Sequence, residues 1–454
     1  MDPGAAPIII EKPIETEEKN FSFKAYAWKQ LKSNKAAYYS YKVLLFLIIV
    51  ALLAPLIAND QPLYLHYKGK NFFPAFTWGN KIEVKDPKTG VLEHLQLDIT
   101  DWKQLDADAV IWAPITYDPN KTDLLNYDYV APAGKQLFLN KAGKIIPIPF
   151  KFRHWLGTNK RGEDVLSGLI HGTSISLTIG IFSMTIASIL GLILGAMAGY
   201  FGDTKLSTTR GMFWTIVLGL VFSYYYGFSL RSFTLTDALA KSGLAIMFEL
   251  LISFFVFFGV LCVFYLLGKL IGLLPGLRNK VFIPVDSMVS RTIEVLISLP
   301  RLILIISIAA IAKPSIINLM IIIGLTAWTE IARFTRAEFL RIRQLEYIQA
   351  AESLGYSDLR IMFKHALPNG MAPALITIAF GIASAILIES GLSFLGIGVP
   401  ADTVTWGSLL SAGKENYNAW WLVVFPGLAI FVTVTVYNLL GEGLRDALDP
   451  RLKK

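Results

Sequence analysis

The residues that could make or break bonds are few in this sequence, and they are not spaced for it. The five histidines, His66, His94, His154, His171 and His365, make no pair at metal-ligand spacing. Neither H-E-x-x-H nor G-x-S-x-G occurs, so no catalytic residue and no metal site is assigned. The phosphate-cradling loop G-x-x-x-x-G-K-[ST] is also absent, so any nucleotide chemistry must belong to another chain. The lone cysteine, Cys262, falls in an apolar run and can form no intrachain disulfide. It is expected to be a small buried hydrophobe.

What the sequence does space with purpose is the polar stretch EYIQAAESLGYSDLRIMFKHALPNG, residues 346–370. Ala350, Ala351 and Leu354 form a small apolar ridge whose alanines would let another surface approach the backbone. Gly355 supplies the left-handed position that stops a helix. Ser357 or Asp358 then caps a second helix, with Leu359, Met362 and Phe363 on one side, and Pro368 is expected to stop it. The work open to such a segment is mechanical. It is a short rigid helix at a surface, suited to docking in a partner's groove and transmitting force.

The elements that must position this stretch are apolar. The chain is 54% hydrophobic and only 17% charged, against roughly 25% for a soluble domain, and its mean hydropathy is +0.51. Residues 43–58, 172–202, 211–230, 371–388 and 416–441 contain no Asp, Glu, Lys or Arg. Residues 244–274 carry one acid and one base, 295–312 only Arg301, and 314–329 no charge. About 20 apolar residues span a bilayer as a helix, so about eight spans and an all-α polytopic membrane protein are expected.

The net charge of +8 is a topology signal and not a nucleic-acid patch. Lys24, Lys29, Lys32, Lys35 and Lys42 precede the first span, and Arg278 and Lys280 lie between later ones. Arg333, Arg336, Arg341 and Arg343 precede the polar stretch, and Arg451, Lys453 and Lys454 end the chain. With the N-terminus inside, the expected spans put every cluster on the cytoplasmic side.

In chain order, residues 1–42 form a cytoplasmic N-terminal segment. Its residues 1–20 are expected to be disordered, and in 21–42 aromatics and lysines interleave as in an amphipathic helix on the inner leaflet, meeting lipid phosphates. Residues 43–58 are the first span, retained as an anchor. Residues 59–155, rich in Trp, Tyr, Pro and Asp, are expected to be a small ordered extracytoplasmic subdomain of mixed or β character, with short strands in 135–148. Residues 156–203 combine turn chemistry at 158–162, the acids Glu163 and Asp164 in a first helical turn, and an apolar stripe of Val165, Leu166, Leu169 and Ile170. They predict an interfacial helix leading into a span, where Gly191, Gly195, Ala198 and Gly199 are spaced for close packing. Residues 204–285 read as an inserted transmembrane hairpin with a short loop at 231–243. Residues 286–446 hold the remaining spans and the polar stretch (about 333–370), and 447–454 form a cytoplasmic tail.

Residues 347–370 resemble the EAA loop of ATP-binding-cassette importer permeases: Glu-Ala-Ala, three residues, Gly, nine residues, Ile, one residue, Leu-Pro. The spacing from Ala350 and Ala351 through Gly355 to Leu367 and Pro368 fits without gaps. Gln349 stands in place of the leading Glu, and His365 in place of the Ile. LGTNKRGEDVLSGLIHGTSISL (156–177) resembles a segment of the second permease subunit of peptide importers. The stretch from ESGLSFLGIGVP to LRDALDPRLK (389–453) resembles that subunit's C-terminus almost end to end. Together the matches cover roughly residues 150–203 and 286–454. The long loop with ANDQPLYLHYKGKNFFPAF is further similar to the branch that includes microcin C-type peptide permeases. The hairpin at about 205–285 departs from the family's usual six spans, and its expected role is packing against a partner permease or lipid.

The resemblance implies a type I importer (MetI-like) core that translocates peptides across the bacterial cytoplasmic (inner) membrane, with both termini cytoplasmic. It implies a homologous second permease, two ATPase subunits that hold the ATP and magnesium, and an extracytoplasmic binding protein that delivers peptide. The chain itself would be no enzyme and would bind no cofactor, metal or nucleic acid. The coupling residues so implied are Gln349, Ala350, Ala351, Leu354, Gly355, Asp358, Leu367 and Pro368, resting in an ATPase cleft. Two charges at depth are candidates for the translocation path. On a continuous helix Arg301 lies about 20 Å from Asp286, near the midplane, where it either attracts a peptide carboxylate or pairs with an acid such as Glu294. Glu389, about 27 Å along its helix from Met371, is expected to be hydrated at an outer gate or binding-protein dock. Importers of nickel and other small solutes share these motifs. A membrane-anchored sensor or binding module could carry a similar external domain, but it would not need the EAA spacing.

Overall fold

The computed structural model describes residues 30–448 apart from 78, 80, 86–91 and 242. Residues 21–29 of the expected amphipathic helix, and most of the tail with Arg451, Lys453 and Lys454, therefore lie outside the described residues. The chain divides into two compact units. The first comprises Met1–Ile181, Pro314–Leu319 and Leu375–Lys454, and the second Phe182–Lys313 and Met320–Ala374.

The first unit opens with helix α1 (Lys35–Ile57), capped by Asn34, whose side chain accepts from the Ala37 backbone at 3.2 Å. The β-rich insertion follows. Strand β1 (Tyr64–Tyr67) pairs antiparallel with β2 (Lys70–Phe72), β3 (Lys81–Lys85) with β4 (Leu92–Gln96), and β5 (Ala109–Ile111) with the other edge of β1. A last hairpin joins β6 (Leu137–Leu139) to β7 (Ile145–Pro147), within the alternating stretch read at 135–148. Alternation decides the buried face: Leu65 and Tyr67 point inward and join Ile82, Val84, Leu95, Leu97 and Trp102 in a core of the insertion's own.

Helix α2 (Val165–Phe201) starts after Asp164, which accepts from the Ser167 backbone at 2.7 Å and so caps the helix from outside its first turn. The separate interfacial helix expected before the span is not there. Nothing from Val165 to Phe201 breaks the hydrogen-bond ladder, so one 37-residue helix results.

The second unit takes α2 from Phe182 on. A short β8 (Ser207–Thr209) leads into α3 (Arg210–Tyr224), a wider turn to Ser229, α4 (Ser232–Lys241) and α5 (Gly243–Ile271), and β9 (Lys280–Phe282) pairs back onto β8. The loop expected at 231–243 is thus largely a ten-residue helix. Arg231 forms a salt bridge to Glu249 and bonds the Ser253 hydroxyl at 3.0 Å, which explains how a long apolar hairpin keeps its charges. Cys262 is exposed on this hairpin, not buried as expected. The hairpin is apolar all round, so its periodicity holds no record of which side faces out.

After β9 come α6 (Val285–Ser298) and α7 (Arg301–Ile311), which meet at 83°. Pro300 is the cause: it has no N–H to continue the ladder and holds Leu299 in an extended conformation, φ −95° and ψ 133°. Helix α8 (Ile316–Ile342) follows, and then α9 (Glu346–Ser353), α10 (Asp358–Arg360) and α11 (Leu367–Gly370). Helix α12 (Ala372–Phe394) leads back to the first unit, where α13 (Trp406–Gly413) and α14 (Trp421–Leu448) complete the described chain. Among the described residues seven helices are long and apolar enough to cross a membrane, or eight if α6 and α7 count as one span. The protein is mostly helical and multi-pass, with a small β-rich insertion.

Two packing contacts show why small residues matter. In the second unit a Cβ on Gly195 or Gly199 would lie 2.5 Å from the backbone oxygen of Ala332 or Arg336, so α2 and α8 touch backbone to backbone. In the first unit a Cβ on Gly443 of α14 would lie 2.3 Å from Ala37 of α1.

Candidate functional site

The polar stretch folds as two short helices turned on a glycine. Gly355 has φ +78°. Its N–H bonds the Glu352 carbonyl at 2.9 Å and the next N–H, of Tyr356, bonds Ala351 at 3.2 Å. These paired bonds, closed by a left-handed residue, end α9. Open space surrounds the position a Gly355 Cβ would take, so glycine is needed there for its backbone and not for room. Ser357 is the cap position of α10 but makes no side-chain cap bond.

The chain does not stop at Pro368. A π-type turn over Ile361–Ala366 widens the helix, and Pro368 falls in the first turn of α11, where its missing N–H is no loss. The break comes at Met371, outside both helices.

The apolar residues divide between two faces, unlike the single ridge of Ala350, Ala351 and Leu354 that the sequence predicts. Ile348 and Ala351 of α9, with Ile361, Met362 and Ala366, pack into a buried cluster with Tyr200, Phe201, Phe339 and Ile342. Ile348 and Ile361 are fully buried, each worth about 1.5–3 kcal/mol against exposure. Gln349, Ala350 and Leu354 are exposed, as are Leu359 and Phe363; Leu354 is 73% and Leu359 60% accessible. Ala351 and Met362 are thus anchors, and Ala350, Leu354, Leu359 and Phe363 are the free apolar surface. Leu367 is half-buried against the same cluster.

A polar clasp holds this arrangement to the end of α2. The Tyr200 hydroxyl lies 3.1 Å from Glu352 Oε1 and 3.0 Å from Asp358 Oδ1. Lys205 Nζ sits 2.5 Å from Glu352, 2.9 Å from Asp358 and 4.0 Å above the Tyr200 ring. Burial works against the Lys205 charge, but its bonds to Glu352, Tyr200 and Asp358 outweigh that and raise its pKa. Elsewhere in the same unit, Arg336 makes a two-pronged salt bridge with Asp286, and Asp203 accepts from the Ser287 hydroxyl at 2.5 Å.

Arg301 opens α7 beyond the bend, so it does not lie on a helix running from Asp286. It does not pair with Glu294, whose carboxylate is 2.7 Å from Arg291. Its Nε and Nη2 are buried without hydrogen-bond partners among the described residues. Glu389 is fully buried, contrary to the hydrated position expected. Helix α12 turns it inward, where Ser393 (2.7 Å), Ser176 (3.2 Å) and Ser390 (3.3 Å) donate to its carboxylate in place of water.

One centre escaped the sequence reading. His154 is fully buried between Asp164 (2.8 Å from Nδ1) and Asp123 (3.2 Å from Nε2), and its ring stacks on Tyr117 at 3.9 Å. Burial opposes the imidazolium, but the two carboxylates outweigh it and raise the His154 pKa. The signal available was a histidine just before the acidic pair Glu163 and Asp164. Asp123 lies too far away in sequence for any periodicity to reveal it.

Comparison with known proteins yields two family models. "Binding-protein-dependent transport system inner membrane component" matches residues 268–454. "N-terminal TM domain of oligopeptide transport permease C" matches 22–73. The chain is 32% identical over 302 residues to a di/tripeptide transport system permease protein of Pseudomonas aeruginosa, covering 66% of this chain and 73% of that one. It is 28% identical over 429 residues to an inner membrane ABC transporter permease protein of Escherichia coli, covering 93% and 96%. It is also 27% identical over 440 residues to a peptidoglycan transport system permease protein of Agrobacterium fabrum, covering 93% and 92%.

Proposed function

The chain belongs to the permeases of ATP-binding-cassette peptide importers, of the oligopeptide C type, and on that premise we propose that residues 346–370 are its coupling element. It is a transport component and not itself an ATPase, and this family binds no cofactor of its own. The observation that carries the coupling role is the division of faces. Ile348, Ala351, Ile361 and Met362 root the two helices, while Ala350, Leu354, Leu359 and Phe363 remain exposed beside them. Apolar residues held out on a rigid, anchored turn are a docking surface.

The partner at that surface is one of two ATPase subunits. Nucleotide-driven movement of that subunit shifts α9 and α10, and the clasp at Tyr200 and Lys205 passes the shift to α2. A homologous permease completes the membrane path, and an extracytoplasmic binding protein supplies peptide. The basic clusters support an inner-membrane orientation with the termini and 346–370 in the cytoplasm, and 59–155 outside. Gln349, Gly355, Asp358, Leu367 and Pro368 serve the docking turn by position, anchoring or backbone shape. The unpartnered Arg301 faces the translocation path, where a substrate carboxylate or a group on the second permease completes its bonds. Glu389 braces α12 against α2 near that path.

Gly355→Asp tests the coupling role. Asp at φ +78° is strained and puts a charge at the docking turn. Membrane insertion should persist while peptide uptake is lost and ATP hydrolysis by the assembled complex no longer responds to binding protein. Unimpaired uptake would remove the coupling role.

A further inference from the structure

The insertion between the first two spans contains a cavity of about 440 Å³ that transport coupling leaves unused. Its charged lining is Lys103, Lys121, Asp60, Asp101 and Asp123, with an apolar wall that includes Ile99, Leu124 and Phe138. Most of these charges are committed within the protein. Lys121 lies 3.3 Å from Asp60, and Asp123 binds His154 and accepts from Asn126 at 2.8 Å.

Two are not. Lys103 makes no ion pair among the described residues; its Nζ sits over the rings of Tyr117 at 3.4 Å and Phe152 at 5.4 Å. Asp101 is exposed, and among the described residues its carboxylate accepts only the backbone N–H of Lys103, at 3.1 Å. Burial lowers the Lys103 pKa to about 8, although Asp123, Asp101, Asp60 and Asp164 resist, so the ammonium lacks the partner that would hold its proton.

The charge pattern selects the ligand. A lone anion entering the cavity meets three aspartates, and a lone cation meets two lysines. A molecule bearing both charges satisfies Lys103 and Asp101 at once, while Ile99, Leu124 and Phe138 cover an apolar side chain. The volume lies within the range of small-molecule sites, about 300–1,000 Å³. We propose that this cavity binds a small zwitterion with an apolar side chain, a free amino acid or short peptide, its carboxylate on Lys103 and its ammonium on Asp101. Neither Arg301 nor Glu389 lines the cavity, and binding there is independent of coupling at 346–370.

Calorimetric titration of the full chain in lipid nanodiscs tests it, with leucyl-leucine, its N-acetyl and C-amide forms, and the doubly capped compound as probes. Leucyl-leucine is expected to bind at least tenfold more tightly than either singly capped form, and the doubly capped compound not at all. Lys103→Met should weaken leucyl-leucine at least tenfold and leave the amide unaffected. Leu124→Trp, at a rim position 78% exposed and tolerant of change, should block every probe. Cys262→Ser, at an exposed position outside the cavity, should change nothing. Equal binding of all four compounds, no binding of any at millimolar concentration, or parental binding by Lys103→Met and Leu124→Trp overturns the proposal. Loss of binding in Arg301→Gln alone also overturns it, by placing the site in the translocation path, and leaves the transport reading intact.

Discussion

The Lys205 ammonium lies 2.9 Å from the Asp358 carboxylate, tying the turn after α2 to the first residue of α10. Tyr200, in the last turns of α2, reaches the same carboxylate at 3.0 Å. A displacement of α10 therefore meets resistance first at the end of α2. Both ends of the ion pair are about a third or more exposed, so its contribution to stability is small, about 0–1 kcal/mol. Its value is positional.

Asp358→Asn and Lys205→Met should therefore melt within a few degrees of the parent, yet each should lower ATP-driven uptake about fivefold, the factor that 1 kcal/mol supplies. The exchange Lys205→Asp with Asp358→Lys should recover uptake in part. Thermal unfolding in detergent and peptide uptake in proteoliposomes read the two effects separately, and equal loss of both would make the clasp merely structural.

The contact of α2 with α8 sets a second expectation. Gly195→Leu must push a side chain into the Ala332 backbone, whereas Gly391→Ala places its methyl in open space. The first should destabilise the protein by about 1–3 kcal/mol or more and lower its melting temperature, and the second should change neither. A wild-type melting curve for Gly195→Leu would contradict backbone contact between these helices.

The insertion should respond to pH through His154 and Lys103, in opposite senses. The His154 pKa is raised in the fold above its ordinary 6.5, so the stability it lends is fully present below that value. It is lost as pH rises through the raised value. Lys103 is lowered from 10.5 to about 8, so burial of its charge opposes folding below pH 8, and that opposition fades between about 8 and 10.5. Hydrogen exchange across residues 92–164 should quicken, after correction for intrinsic rates, as pH rises above 6.5 and through the raised His154 value, and His154→Gln should flatten that change. A pH-independent profile in the parent would remove His154 from the structure's support.

Arg301 offers a test of the translocation path. If its unpartnered Nε and Nη2 meet a substrate carboxylate, Arg301→Gln should reduce uptake of free peptides and spare C-terminally amidated ones. Equal loss of both would assign Arg301 to contacts with the second permease.

Much of this architecture was legible in the residues. Charge-free runs marked the long helices, and Gly355 announced a left-handed turn because few other residues accept φ near +78°. The glycine spacing at 191, 195 and 199 foretold close helix–helix packing, and the structure supplies α8 as the partner. What escaped was whatever depends on direction and long-range partners. Ala350 and Ala351 are identical neighbours about 100° apart on the helix, one exposed and one buried, and only the cluster around Phe339 and Ile342 decides which is buried. The π-type turn at Ile361–Ala366 leaves no compositional mark, so Pro368 looked like a stop when it begins a helix. The break before Arg301 was written in Pro300, but an apolar run long enough to span concealed it. The burial of Glu389 is not legible in its own stretch because its partners, Ser176 and Thr405, come from distant parts of the chain.

The most direct measurement concerns what touches 346–370. In a Cys262→Ser background, single cysteines at Leu354, Leu359, Ile348 and Leu124 can carry a photo-crosslinker, with the chain co-expressed beside its ATPase subunits. Leu354 and Leu359 should each yield an adduct with an ATPase subunit that changes in amount with ATP. Buried Ile348, and Leu124 in the insertion, should yield none. Absence of any ATPase adduct from Leu354 and Leu359, in a complex that still hydrolyses ATP and imports peptide, would contradict the coupling role assigned to this turn.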